Sequence, residues 1–174
     1  MNKITIFLFL FIFSWIKLSA QFDRLPDNIF TGKLPKSKID FLKKHYDWQK
    51  DTKLIINFKT YRRTCHYDQY PIKFRKKENG QFFDNFYKKI GLQDVSLIYI
   101  LLEKRLSKRI IGRRSDYYFD KDDFLSNTFK LQERQHCYAI TVIDENGNLI
   151  GRIGEYSEDD LLEFIEYLDK KKSN

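Results

Sequence analysis

The chain has two cysteines, and each stands next to a histidine. Cys65 precedes His66 in the stretch INFKTYRRTCHYDQYP, and Cys137 follows His136. A thiol can attack a disulfide, bond to another thiol or bind a metal, and nearby cations favour the reactive thiolate. The spacing lacks the short ligand pairs of zinc sites, and two cysteines cannot build a disulfide-rich scaffold. We therefore predict no metal site and no cofactor, and thiol chemistry is the chemistry to examine.

Two apolar runs predict buried parallel strands before and after a helix. KLIINFK covers residues 53–59 and VSLIYILLE covers residues 95–103. Between them, NGQFFDNFYKKIGL places its apolar residues on one helical face and ends at Gly91, a residue typical of helix C-termini. The pattern predicts a βαβ unit. Weaker helical patterns occur in PKSKIDFLKKHYDW and KDDFLSNTFKL.

The C-terminal part predicts a hairpin followed by a helix. CYAITVID (137–144) and LIGRIGEY (149–156) flank an Asn-Gly pair, which is the strongest short hairpin signal. Ser157 and Asp160 have the spacing of a capping box at a helix start. The predicted buried face of that helix consists of Leu161, Leu162, Phe164, Ile165 and Leu168. With the βαβ unit, this ββα unit predicts a mixed α/β sheet with helices on both faces.

The first twenty residues have the layout of a secretory signal peptide. Lys3 precedes an apolar run over residues 4–16, and Ser-Ala ends the segment at Ala20. A transmembrane helix needs roughly 20 apolar residues, so we expect cleavage after Ala20 and no stable membrane span in the mature protein. We divide the chain into a signal peptide (1–20), an N-terminal extension (21–49) and one domain (50–172).

The basic charge is moderate and has a simple explanation. The formal net charge is +8, and much of it lies in KFRKK (73–77) and EKRLSKRIIGRR (103–114). Such segments can bind nucleic acid, but an exported protein rarely meets it, so we interpret them as a solvated face. We expect periplasmic or secreted protein, no nucleic-acid partner, and an exported protein as the partner if there is one. The sequence does not predict the oligomeric state.

Two segments resemble the exported TlpA-type thiol–disulfide oxidoreductases of the thioredoxin-like superfamily. Members read N-F-W-A-x-W-C-x-x-C-x-x-E-x-P at a strand end, and a gapless alignment matches Asn57, Phe58 and Pro71. VIDENGNLIGRIGEYSEDDLLEFIEYL is similar to the family's ID-x-x-G hairpin and closing helix. The resemblance implies a thioredoxin-like mixed sheet, βαβ then ββα, over residues 50–170.

The interior of the first motif departs from the family. The two redox cysteine positions fall on Arg63 and His66, and the family's cis-proline position falls on Tyr138. Shifting the alignment by one or two residues places Cys65 on the second or the first cysteine position. In no case does a second thiol lie in the loop, so a two-thiol cycle within the loop is excluded.

The resemblance sets the Cys65 loop opposite the loop that contains Cys137, and three interpretations of Cys65 stay open. In the first, Cys65 is a lone reactive thiol activated by nearby cations. In the second, it is bonded to Cys137 as a structural or redox pair. In the third, both thiols are buried apolar groups. We predict a non-classical redoxin relative with a binding or structural role. The alternative is a thiol–disulfide oxidoreductase or thiol sensor. In that case Cys65 is the nucleophile, His66 or Arg63 stabilises its thiolate, and Cys137 is the resolving cysteine that attacks the mixed disulfide.

Overall fold

The computed structural model describes residues 21–24, 28–46, 48–49, 52–59, 88, 92, 94–102, 117–131 and 137–172. These residues form seven strands and three α-helices, the second of which follows a short 3-10 turn at Lys121–Asp123. In chain order the elements are β1 (Gln21–Arg24), β2 (Ile29–Lys33), α1 (Lys36–His45), β3 (Lys53–Lys59), β4 (Val95–Leu101), β5 (Tyr117–Phe119), α2 (Phe124–Phe129), β6 (Tyr138–Ile143), β7 (Asn148–Ile153) and α3 (Glu158–Lys172).

All seven strands belong to one mixed sheet in the order β1-β2-β7-β6-β3-β4-β5. β3, β4 and β5 run parallel, and β6 is antiparallel to both β3 and β7. The mixed sheet predicted from the sequence is therefore confirmed, with the apolar β3 between two other strands.

The sheet separates two apolar cores, which explains the continuous apolar run of β3. Leu54, Ile56 and Phe58 contribute to the core that also contains residues of α1 and α2. Ile55, the residue between the first two, contributes to the core under α3. Successive side chains of a strand point to opposite faces, so a strand buried on both faces has no polar positions to alternate with.

The C-terminal hairpin and helix follow the sequence prediction closely. The turn lies between β6 and β7, and the Ser157 Oγ accepts a hydrogen bond from the Asp160 amide at 3.2 Å while the Asp160 carboxylate accepts one from the Ser157 amide at 2.7 Å. The predicted buried face needs one correction, because Leu162 is 45% exposed. Leu161, Phe164 and Leu168 are buried, and Leu162 lies about 100° around the helix from Leu161.

The region before β3 adds to the sheet in a way that the sequence did not indicate. β2 pairs antiparallel with β7, and β1 pairs with β2. Leu34 then donates its amide to the Gly147 carbonyl at 2.8 Å, which joins this region to the hairpin turn. The helix predicted from PKSKIDFLKKHYDW is confirmed as α1, and the one predicted from KDDFLSNTFKL is found as α2 with its preceding 3-10 turn.

Several predicted features lie outside the described residues. They are the signal peptide, both basic segments and, apart from the helical residue Lys88, the helix predicted between β3 and β4. Within the described part of the chain, no helix is long and apolar enough to cross a membrane.

Candidate functional site

The candidate site lies where β3 ends and β6 begins. The two strands are antiparallel, and Lys59, the last residue of β3, is paired with Tyr138, the first residue of β6. Cys137 directly precedes Tyr138. We call the group formed by Asn57, Lys59, Cys137, Tyr138 and Tyr156 the strand-end site.

Cys137 is disulfide-bonded and partly buried. The chain contains two cysteines, and the other is Cys65. Cys65 and His66, the other two residues predicted from the sequence to act in thiol chemistry, lie outside the described residues, as does Arg63. The structure therefore describes only the part of the site around Cys137, which lies next to the end of β3.

Lys59 is a charged residue in a buried position of this site. The side chain is only 6% exposed, and its Nζ lies 5.3 Å from the centre of the Tyr138 ring. An ammonium over an aromatic face at this distance is a cation–π contact. Sequence reasoning missed Lys59 because it ends an apolar strand, where a lysine usually reaches solvent. The feature that would have indicated Lys59 is the pairing of the end of β3 with Tyr138, the residue that follows Cys137.

Asn57 adds a second buried polar group to the same strand. It is 2% exposed, and its Nδ2 donates a hydrogen bond to the Tyr156 hydroxyl at 2.6 Å. Tyr156 lies between β7 and α3, 99 positions further along the chain. Strand β3 thus places Asn57 and Lys59 at one end of the sheet, where Tyr156, which follows the hairpin, bonds to Asn57.

The segment equivalent to the family's cis-proline loop has an ordinary backbone. Tyr138 begins β6 and accepts a hydrogen bond at its carbonyl from the Gly154 amide at 2.8 Å. Every peptide bond of the described residues is trans.

Two aspartates of the described residues, Asp120 and Asp144, have structural roles. Asp120 accepts hydrogen bonds from the amides of Leu125 at 2.8 Å and Ser126 at 2.7 Å, at the start of α2. Asp144, 4% exposed, accepts bonds from the amides of Asn146 and Asn148 in the hairpin turn. Across the part of the chain that the structure describes, no three potential metal ligands lie together.

The strand order defines the class of protein. Four central strands run in the order β7-β6-β3-β4, with β3 and β4 parallel, β6 and β7 joined as an antiparallel hairpin, and α3 following. This is the arrangement of the thioredoxin-like superfamily, and the chain has a thioredoxin-like fold.

Two solved structures are similar to the chain. One is described as a thiol:disulfide interchange protein DsbE from Chlorobium tepidum, with 14% identity, a TM-score of 0.40, and coverage of 67% of this chain and 79% of that one. The other is the thioredoxin domain of a thiol-disulfide oxidoreductase from Bacteroides vulgatus, with 13% identity, a TM-score of 0.43, and coverage of 83% and 99%. The strand order, rather than these similarities, defines the fold. No protein-family model and no curated protein matches the chain.

Proposed function

We propose that the chain is an exported, non-classical redoxin relative that lacks the ordinary C-x-x-C pair and has a binding or structural role. The observation that carries the proposal is the disulfide of Cys137 beside the end of β3. Since Cys65 is the chain's other cysteine, the proposal takes the bond to be Cys65–Cys137. An exported protein meets the oxidising conditions in which such a bond persists.

The bond would act as a cross-link between the loop after β3 and the segment before β6. Closing a loop of about 70 residues stabilises the fold by about 4 kcal/mol in the chain-entropy model. A loop fixed in this way also loses less freedom when it binds a partner, which favours association. An exported protein is the partner class that fits the predicted location.

The test is thiol counting on the secreted, non-reduced protein. Alkylation under denaturing conditions should modify no cysteine before reduction and both after it, and peptide mapping should recover Cys65 joined to Cys137. The same protein should not accelerate the reduction of insulin by dithiothreitol. Free thiols in the secreted protein would overturn the proposal.

A second candidate function is thiol–disulfide exchange by the same bond. It is favoured by the partial exposure of Cys137, since an external thiol needs access to the disulfide. In the reducing direction, the Cys65 thiolate attacks a substrate disulfide and one substrate sulfur leaves as a thiolate. The Cys137 thiolate then attacks Cys65 and releases the second sulfur, so that the protein disulfide forms as the substrate is reduced.

The insulin assay separates the two functions. Catalysis that is lost in Cys65→Ser and retained in Ser157→Ala, a substitution in the cap of α3, supports exchange. A His66→Ala variant with slower turnover would assign thiolate stabilisation to His66. If the wild type does not catalyse the reaction, the exchange function is excluded and the binding or structural role remains.

A further inference from the structure

We propose that Gln21 is a modification site, at which the N-terminus of the mature protein closes into a pyroglutamate ring. The inference rests on the exported character of the chain in the proposed function, with removal of the signal peptide after Ala20. It depends on neither cysteine, so it can hold or fail independently of the disulfide.

The reaction uses atoms of Gln21 alone. Once the bond after Ala20 is cut, the α-amino nitrogen of Gln21 attacks the carbon of its own side-chain amide. The C–N bond of that amide breaks, one proton passes from the attacking nitrogen to the departing one, and ammonia leaves. No oxidant, reductant or other co-reactant is consumed. Because α-amino groups in general have a pKa of about 8, part of the terminal amine is uncharged and nucleophilic at neutral pH.

The pairing of β1 begins at the residue that this cleavage would expose. Gln21 is the first residue of β1, and it lies opposite Lys33, the last residue of β2, in an antiparallel pair. The ladder continues to Arg24, which lies opposite Phe30. Every pair of β1 therefore falls at or after Gln21, and removal of the signal peptide leaves the ladder whole.

The position of β1 makes ring closure compatible with the fold. Within the described sheet, β1 is the first strand in the order and pairs only with β2. An edge strand leaves one side of its backbone unpaired, and Gln21 stands at the start of this one. Closure there separates no strands inside the sheet. The lactam nitrogen also keeps one N–H, so the backbone does not lose a donor as it would with a proline.

The charge opposite Gln21 favours the closed form. Lys33, its partner across the two strands, has an exposed cationic side chain. An open N-terminus would add an ammonium opposite it, and like charges directly opposite in an antiparallel pair destabilise that pair. The ring is neutral, so closure removes the repulsion. It also removes the free amine that aminopeptidases require, at a chain end of the kind where proteolysis concentrates.

The experiment is an intact-mass measurement on the full chain, expressed with its signal peptide in an exporting bacterial host. The exported protein is reduced first, so that the cysteines do not alter the mass. The wild type should have the mass of residues 21–174 less one molecule of ammonia. Fragmentation of the intact protein should place that loss on Gln21, which separates it from a loss at Asn146, the residue before Gly147. No digestion precedes the measurement, because glutamine at the end of a peptide can cyclise during handling.

Gln21→Asn is the matched control. It keeps a side-chain amide, but attack by its own α-amine would need a ring one atom smaller and strongly strained. The variant should therefore keep a free N-terminal amine and show no loss of ammonia at residue 21.

Three results would overturn the inference. The first is an exported protein that begins at Gln21 with a free amine, and the second is one that begins at any other residue. The third is the same loss in Gln21→Asn, because the ammonia would then come from elsewhere. A chain that keeps its signal peptide would also remove the exported character of the proposed function. Free thiols in a protein with a cyclised Gln21 would remove only the proposed disulfide, so the two failures are distinguishable.

Discussion

The two ends of the central sheet each bury a charged side chain, and they do so in different ways. At the hairpin end, Asp144 is 4% exposed, and at the strand-end site Lys59 is 6% exposed. Asp144 accepts hydrogen bonds from the Asn146 amide at 2.9 Å, the Asn148 amide at 2.8 Å and the Asn148 Nδ2 at 2.8 Å. Its charge is therefore compensated by residues at most four positions away.

The strand-end site is built from distant segments instead. Lys59 lies over a ring from β6, Asn57 bonds to a tyrosine that follows β7, and Cys137 is in a disulfide. A buried charge whose hydrogen-bond partners lie in its own turn stabilises that turn. Its hydrogen bonds are already formed, so a binding partner would change them little. At the strand-end site, the disulfide of Cys137 can be cleaved by a reductant, so the surroundings of this site can change with the redox conditions. The comparison therefore supports testing the proposed function at the strand-end site before the acidic hairpin.

Loss of the disulfide at the strand-end site should lower the stability of the protein more than any other change considered below. Cys137→Ser, or reduction of the wild type, should lower the free energy of unfolding by about 4 kcal/mol, since the loop-closing cross-link is lost. Urea denaturation with and without reductant measures the change. The Cys137→Ser variant should no longer respond to reductant, and an unchanged midpoint in the reduced wild type would show that the bond does not stabilise this end.

Removing the buried carboxylate tests the hairpin end. Asp144→Ala should cost about 2–3 kcal/mol, because it leaves the turn donors without their acceptor. Asp144→Asn keeps one carbonyl acceptor and should cost less. Both are measured by urea denaturation under oxidising conditions, and the disulfide should remain intact in both. A change in the reduction potential of Asp144→Ala would contradict the independence of the two ends.

The turn glycine gives a smaller effect at the same end. Gly147 has φ +82°, and a Cβ there would lie 2.6 Å from the Ile39 Cδ1 and 2.8 Å from the Leu34 carbonyl oxygen. Gly147→Ala should therefore cost about 1–2 kcal/mol from the left-handed backbone, with additional cost from the contact with Leu34. Thermal unfolding measures it, and Gly154→Ala is an informative comparison because a Cβ there meets nothing within 4 Å although φ is +121°. A larger loss in Gly147→Ala than in Gly154→Ala would assign the excess to the contacts with Leu34 and Ile39.

The same contrast explains what the sequence could predict. The hairpin, its Asn-Gly turn and the Ser157–Asp160 cap depend on residues close in the chain, and all were predicted from patterns of a few residues. Lys59 and Tyr156 could not be, because their importance depends on register between strands far apart in sequence. The two N-terminal strands were missed for a related reason: IFTGK has no strong alternation, and β2 forms by pairing with β7. Cys137 was identified because its residue type is rare, while its bonded state required the structure.

The hydrogen bond between Asn57 and Tyr156 should contribute least to the stability of the strand-end site. Tyr156→Phe removes the hydroxyl that accepts the 2.6 Å hydrogen bond from Asn57, and it leaves a buried amide group unsatisfied at a cost of about 1 kcal/mol. Asn57→Ala removes the donor, and the double variant should cost less than the sum of the two single variants because the residues are in contact. Chemical denaturation of the four proteins gives the coupling energy. If the two losses add, the hydrogen bond does not couple the segment after β7 to β3.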